Sequence, residues 1–234
     1  MALALDASGV SLTNLVAYYK FESGAITTDS SGNSMTLTNN GTVTSVAGLF
    51  GNCANLATPN STQWLSRASG GLGVDLSGAF SVNLWVKLQA QPSDEVWEFI
   101  RWESTTGTAR YLQIYYQQFA GDGAGNYRLA ANNSEGYSQV IAGEINALGD
   151  GNWHMITAVA TGTVVSLYFE GKKVAVATRG TTITATSRIR IGADNVNAQY
   201  SDAYFDDVSF WSRALTDAEI ATLYDLVPSS IILV

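Results

Sequence analysis

Apolar and polar positions alternate with a period of two along most of this chain. In FSVNLWVKL (80–88), Phe80, Val82, Leu84, Val86 and Leu88 share one face, and Ser81, Asn83, Trp85 and Lys87 share the other. That is the pattern of a half-buried strand. RYLQIYYQQ sets Leu112, Ile114 and Tyr116 against Tyr111, Gln113 and Tyr115. VVSLYFEGKKVAVAT reads as two strands around Glu170-Gly171-Lys172, a hairpin signal. WHMITAVA precedes this hairpin and RIRIGA follows it. About a dozen such runs are separated by clusters of Gly, Asn, Asp and Ser. Strands alternating with long helices are absent, which argues against an α/β fold. The predicted fold is all-β: a two-sheet antiparallel jelly-roll sandwich with one short C-terminal helix.

That helix has a written start signal. Thr216 is a good N-cap and Glu219 stands at N3, which makes a capping box. Leu215 at N′ and Ile220 at N4 form a hydrophobic staple. Ile220, Leu223 and Tyr224 then fall on one stripe, and Pro228 disfavours continuation.

Composition narrows the partners. The 234 residues allow one large all-β domain, with no Pro-rich linker and no fixed repeat to divide it. The net charge is −8, with 12 basic and 20 acidic residues and no basic stripe. Nucleic acid is therefore not an expected partner. No apolar run approaches the roughly 20 residues that span a bilayer, so membrane insertion is not expected either. The single Cys53 excludes an intramolecular disulfide and reads as a small buried apolar residue. MALALDASGV has no basic n-region and too short an apolar run for a signal peptide. The expectation is a chain that stays in its cell of origin or leaves by another route.

LVAYYKFES, DSSGN, AGLFGNCANL, FSVNLWVKL, NWHMITAV, VSLYFEGKKVA, RIRIGA and FDDVSFWSRALTDAEIATLY occur in that order. Together they resemble laminin-G-like domains of the concanavalin A-like lectin/glucanase superfamily, over residues 15–226. The last segment, an acidic pair and a strand followed by RALTDAEI, is the most specific. The resemblance implies a two-sheet jelly roll with a concave face, usually non-catalytic and often calcium-binding. Residues 1–14 then form an N-terminal arm and 227–234 an apolar C-terminal tail.

Calcium takes six to eight oxygen ligands. TTDSSGNS offers Asp29 and Asn33 in a Gly-containing turn, and in the family such a loop lies near the acidic pair. Adjacent strand residues point to opposite faces, so Asp206 and Asp207 cannot both address one ion. By alternation Asp206 shares its face with Val208 and Phe210, which point into the core. A carboxylate there needs a cation or several donors. The expected structural calcium set is Asp29, Asn33 and Asp206, with Asp207 turned to solvent or an arginine. The alternative is that Asp29 and Asn33 make an Asx-type turn and Asp206 caps a loop through backbone N–H groups.

Glycan binding needs aromatic platforms with amides nearby. Asn83 and Trp85, with Lys87, lie on one polar strand face, and Tyr111, Gln113 and Tyr115 on another. Tyr137 and Tyr200 add to these from loops. The expected sugar groove is Asn83, Trp85, Tyr111, Gln113 and Tyr115 on the concave sheet; the alternative is that a loop covers Trp85 as core. Glycosidases of the superfamily carry acids at alternate positions of one strand. Here Val96 interrupts Asp94 and Glu98, and Glu95 points away, so the catalytic pattern is broken. His154, the sole histidine, has no Ser or Cys motif to serve and reads as structural.

The ends, MALAL and SSIILV, are apolar and need something to cover them. Self-assembly or strand addition would do so. The leading reading is a non-catalytic module that recognises glycan or a surface protein, at a cell surface, outside the cell, or on a virion. The alternatives are an architectural virion subunit assembled through its apolar ends, and a glycoside hydrolase.

Overall fold

The computed structural model describes residues 5, 8–56, 62–68, 70–89, 96–104, 110–118, 127–133, 138–144, 146–178, 187–194 and 200–226. In chain order the strands are β1 (Leu15–Tyr19), β2 (Thr38–Asn40), β3 (Thr44–Ala47), β4 (Asn52–Asn55), β5 (Trp64–Arg67), β6 (Phe80–Leu88), β7 (Val96–Ser104), β8 (Arg110–Gln118), β9 (Tyr127–Asn133), β10 (Ser138–Glu144), β11 (Trp153–Thr161), β12 (Val164–Phe169), β13 (Lys172–Thr178), β14 (Ser187–Ile191) and β15 (Ala203–Trp211); the helix α1 is Asp217–Asp225. All pair antiparallel, in two sheets. The first sheet runs β13-β12-β11-β6-β15-β4-β3, with β1 added to β15; the second runs β10-β9-β8-β7-β14-β5-β2. The jelly-roll expectation holds, and so does the hairpin: Glu170 and Gly171 take φ of 52° and 73°, the left-handed pair a two-residue turn requires.

The inner faces meet in one apolar core. Phe80, Val82, Leu84 and Val86 from β6 pack there with Trp97, Phe99 and Trp102 from β7 and Leu112, Ile114 and Tyr116 from β8. A second apolar cluster lies on the outward face of the first sheet. It joins Trp85, Met155, Val159, Tyr168 and Trp211 to Leu49, Phe50, Leu215, Ile220 and Leu223. Cys53 is buried and free, and burial pushes its thiol up to about 12.

Helix α1 begins as its sequence says. Glu219 N donates to Thr216 Oγ1 at 3.2 Å, and Thr216 N donates to Glu219 Oε2 at 2.9 Å. Ile220 and Leu223 bury the apolar stripe. Arg213 ties this cap to the chain entering β1: its two terminal nitrogens donate to both Glu219 oxygens at 2.9 and 2.7 Å, and Nε donates to Thr13 O. Leu5 and Val10 also pack into the second cluster. The remaining apolar end residues, 1–4 and 227–234, lie outside the described residues, as do Asp94 and Tyr137. Among the described residues no helix is long and apolar enough to cross a membrane.

Candidate functional site

The five residues expected to form one sugar groove do not come together. Asn83 and Trp85 belong to β6 in the first sheet, while Gln113 and Tyr115 belong to β8 in the second. Their side chains leave the inner core on opposite sides of the sandwich. Trp85 is 1% exposed, stacked on Tyr224 at 6.0 Å and edge-on to Phe50 at 5.9 Å. Asn83 is buried and accepts a 2.6 Å hydrogen bond from Thr157 Oγ1. Both are removed from any open groove because α1 and the 49–50 turn roof this face. Tyr111 lies in β8 with its side chain outside the described residues.

The acidic pair departs from simple alternation. Against β6, Asp206 pairs with Trp85 but Ser209 pairs with Asn83, so β15 carries one extra residue. This β-bulge switches faces: Phe205 and Val208 both point into the inner core. Asp206 is therefore on the outward face with Trp85, not on the face of Val208 and Phe210. Its Oδ2 accepts from Leu49 N at 2.8 Å and Phe50 N at 3.0 Å, and Oδ1 from Asp207 N at 2.9 Å. Gly48 is needed beside it, since a Cβ there would lie 2.7 Å from Asp206 Oδ2. Burial and the Asp207 charge push the Asp206 carboxyl well above its usual range, while the three N–H donors oppose them. Asp207, at φ 46°, is not solvent-facing: it is buried and accepts a 2.5 Å hydrogen bond from Tyr18 Oη.

Asp29 and Asn33 share a turn, as the spacing implies. Asp29 accepts from Tyr18 N, Ser31 N, Ser31 Oγ and Met35 N at 2.8–3.0 Å. Burial raises its carboxyl, but the backbone N–H donors outweigh this and hold it below its usual value. Asn33 Nδ2 donates to Leu15 O and Val16 O. Asp206 is held by a different turn, and its donors share no residue with those of Asp29. Among the described residues no group of three or more His, Cys, Asp or Glu is arranged to hold a metal. N–H and O–H groups of two separate turns satisfy these carboxylates, a donor set that does not fit one shared calcium.

The outward face of the second sheet carries a lattice of buried charge. Glu103 takes Arg101 Nε at 2.5 Å and Arg188 Nε at 2.6 Å, with Arg190 Nε at 3.5 Å. Arg101 also meets Asp194 at 3.3 Å. Gln113 Nε2 donates to the buried Glu98, which stands opposite Tyr115 in register. Arg190 lies over Trp64, which packs against Tyr200. None of the arginines was singled out from the sequence, although Glu98 was.

The roof over the first sheet stops short of one end. There a groove of about 560 Å³ is lined by Val46, Ala47, Lys87, Gln89, Trp153 and Tyr204. Three of these form a cross-strand row, since Lys87 pairs with Tyr204 on one side and Trp153 on the other. Neighbouring strands are about 4.8 Å apart, so the two rings rise from backbones about 10 Å apart with Lys87 between them. All three are partly exposed. Gln89 Nε2 donates to Tyr204 Oη at 2.9 Å. Beside the groove, His154 Nε2 lies 2.9 Å from Asp150 and Nδ1 3.3 Å from Glu170, and the ring stacks on Phe169. Burial pulls the imidazole down, but the two carboxylates outweigh it and raise its pKa. Its two nitrogens face different acids, so it is a structural cross-link, held by carboxylates. Only Lys87 of the groove stood out in the sequence. Trp153 and Tyr204 come from distant segments, and nothing local joins them.

The fold defines the class. A laminin G family model of the concanavalin A-like lectin/glucanases superfamily matches residues 50–221, and the chain belongs to that superfamily. No curated protein matches the sequence. Among solved structures it is similar to domain 4 of AbnA, a GH43 extracellular arabinanase from Geobacillus stearothermophilus, in complex with arabinotriose; identity is 20%, TM-score 0.65, and 92% of this chain covers 98% of that one. It is also similar to the binding domain of Paraclostridial Mosquitocidal Protein 1, at 17% identity and TM-score 0.65, over 91% of this chain and 52% of that one. The botulinum neurotoxin serotype D ligand binding domain, in complex with N-acetylneuraminic acid, aligns at 14% identity and TM-score 0.68, over 94% and 52%. The chain thus spans about half the length of these toxin domains, and the likeness is one of fold.

Proposed function

We propose that this chain is a non-catalytic glycan-binding module working outside the cell or at a surface. One observation carries the reading: two half-exposed rings, Trp153 and Tyr204, flank Lys87 at the open end of a roofed sheet, with the Gln89 amide beside them. Aromatic faces receive the C–H face of a sugar ring, and amide and ammonium groups orient its oxygens. The arabinotriose and N-acetylneuraminic acid held in complex by two similar structures support it. The carboxylates of the second sheet support binding over hydrolysis. Retaining hydrolysis needs two carboxyls about 5 Å apart and free to act, whereas Glu103 is held by three arginines and Glu98 by Gln113. The architectural reading draws on chain ends outside the described residues.

The test is a glycan array with the intact chain and two variants, Trp153→Ala and Tyr204→Ala. Each variant is expected to lose roughly tenfold or more in affinity, about 1.4 kcal/mol. Binding by neither the chain nor its variants to any sugar, or binding indifferent to Trp153, would overturn the reading.

A further inference from the structure

We propose that the groove selects a sugar bearing an oxyanion, a carboxylate or a sulfate ester, and that Lys87 is the residue that reads it. This deepens the glycan reading of the same groove and rests on it.

Lys87 is half-buried in the middle of the row between Tyr204 and Trp153. Among the described residues its side chain makes no hydrogen bond and no ion pair. Three other cations of the described surface do meet carboxylates: Lys173 meets Asp217, Arg188 meets Glu103, and Arg213 meets Glu219. Two described carboxylates near Lys87 are committed elsewhere. Asp206, one row along β15, is held by three backbone N–H groups. Asp150, next to the groove residue Gly151, meets His154 Nε2 and accepts from Asn152 N. A partly desolvated ammonium without a counter-charge is costly, and an anion supplied by a ligand removes that cost. Lysine presents a point charge with three donors, which suits a carboxylate or sulfate approaching from above the sheet.

The groove also sets the orientation. Beyond Lys87 along β6 the groove is lined by Gln89, whose Nε2 donates to Tyr204 Oη at 2.9 Å. Neutral amide and phenol groups there suit sugar hydroxyls. The oxyanion belongs at Lys87 and the sugar hydroxyls toward Gln89 and Tyr204.

The experiment uses matched probes that differ only in the anion: oligogalacturonate against its methyl ester, sialyllactose against lactose, and a sulfated galactose oligomer against its unsulfated parent. Affinities are measured by calorimetry for the intact chain and for Lys87→Met, Lys87→Arg and Trp153→Ala, with thermal melts to confirm folding. At least one acidic probe is expected to bind roughly tenfold tighter than its neutral partner. Lys87→Met should equalise the two, and Lys87→Arg should keep the preference. The carboxylate and sulfate pairs separate the two sources of the anion. Equal binding of acidic and neutral partners by the intact chain, or a preference that survives Lys87→Met, overturns the proposal. If binding is neutral yet needs Trp153, this inference falls and the glycan groove stands. If no probe and no array sugar binds, both fall.

Discussion

The two outward faces of this sandwich solve the same problem in opposite ways. The first sheet turns Trp85, Met155, Val159, Tyr168 and Trp211 outward, too much apolar surface to leave in water. A capped helix and the 49–50 turn cover it and make a second core. The second sheet turns Glu98, Arg101, Glu103, Arg188 and Arg190 outward, with Glu103 paired to the three arginines and Glu98 to Gln113. A roof of hydrophobic packing ends where its side chains end, and the sheet beyond it stays open. The groove sits at that border. In the charge lattice Glu103 is tied to three arginines, so that carboxylate serves structure before chemistry.

Trp85→Ala attacks the roofed face, and it should cost about 3–5 kcal/mol by urea unfolding. Val176→Ala on edge strand β13, where the side chain is 57% exposed, should stay within about 0.5 kcal/mol. A Trp85 loss below about 1 kcal/mol would mean the roof is not a core. On the other face, Glu103→Gln removes a counter-charge from buried Arg101 and from the half-buried Arg188 and Arg190, and should cost about 3 kcal/mol. Replacing Arg101 and Glu103 together by apolar residues should recover part of this; no recovery would show that Arg188 and Arg190 dominate the lattice.

The buried acid at the bulge gives a smaller effect. Asp206→Asn keeps one acceptor oxygen but turns an NH2 donor toward at least one of the three N–H groups, and should cost about 2 kcal/mol. The melting temperature of the intact chain should be the same in EDTA and in millimolar calcium. An EDTA-sensitive melt that becomes insensitive in Asp206→Asn would place a cation at Asp206 after all. The smallest effect belongs to the helix start. Hydrogen bonds from Arg213 lead the forces that hold the Glu219 carboxyl down at about 2. A depressed carboxylate stabilises above its unfolded value of 4.5, and that contribution is lost as pH falls toward 2. Glu219→Gln should therefore cost about 1 kcal/mol at neutral pH and nothing near pH 2. An equal loss at both pH values would mean that charge plays no part.

Much of this was legible because its causes are local. The Thr216–Glu219 box, the Leu215–Ile220 staple and the Glu170-Gly171 turn depend on residues within five positions of one another. The face of Asp206 was misread because alternation was carried through a bulge. Its trace is in the sequence: in AYFDDVSFW the apolar Phe205 and Val208 stand three apart, which an unbroken pleat cannot place on one face. Asp207 was misplaced for the same reason. The arginines of the charge lattice left no such trace, since RIRIGA alternates equally well beneath a solvated face.

Alternation, caps and turns let the sequence by itself determine where strands run, where the helix starts and which residues can face a core, since each is an interaction between near neighbours. Only the tertiary structure decided that β6 and β8 lie in different sheets, which parts Asn83 and Trp85 from Gln113 and Tyr115. It alone laid α1 across Trp85 and left Lys87 uncovered between Trp153 and Tyr204. Those outcomes depend on hydrogen bonds and packing between segments far apart in the chain, and a period of two carries no information about which strand comes to lie beside which.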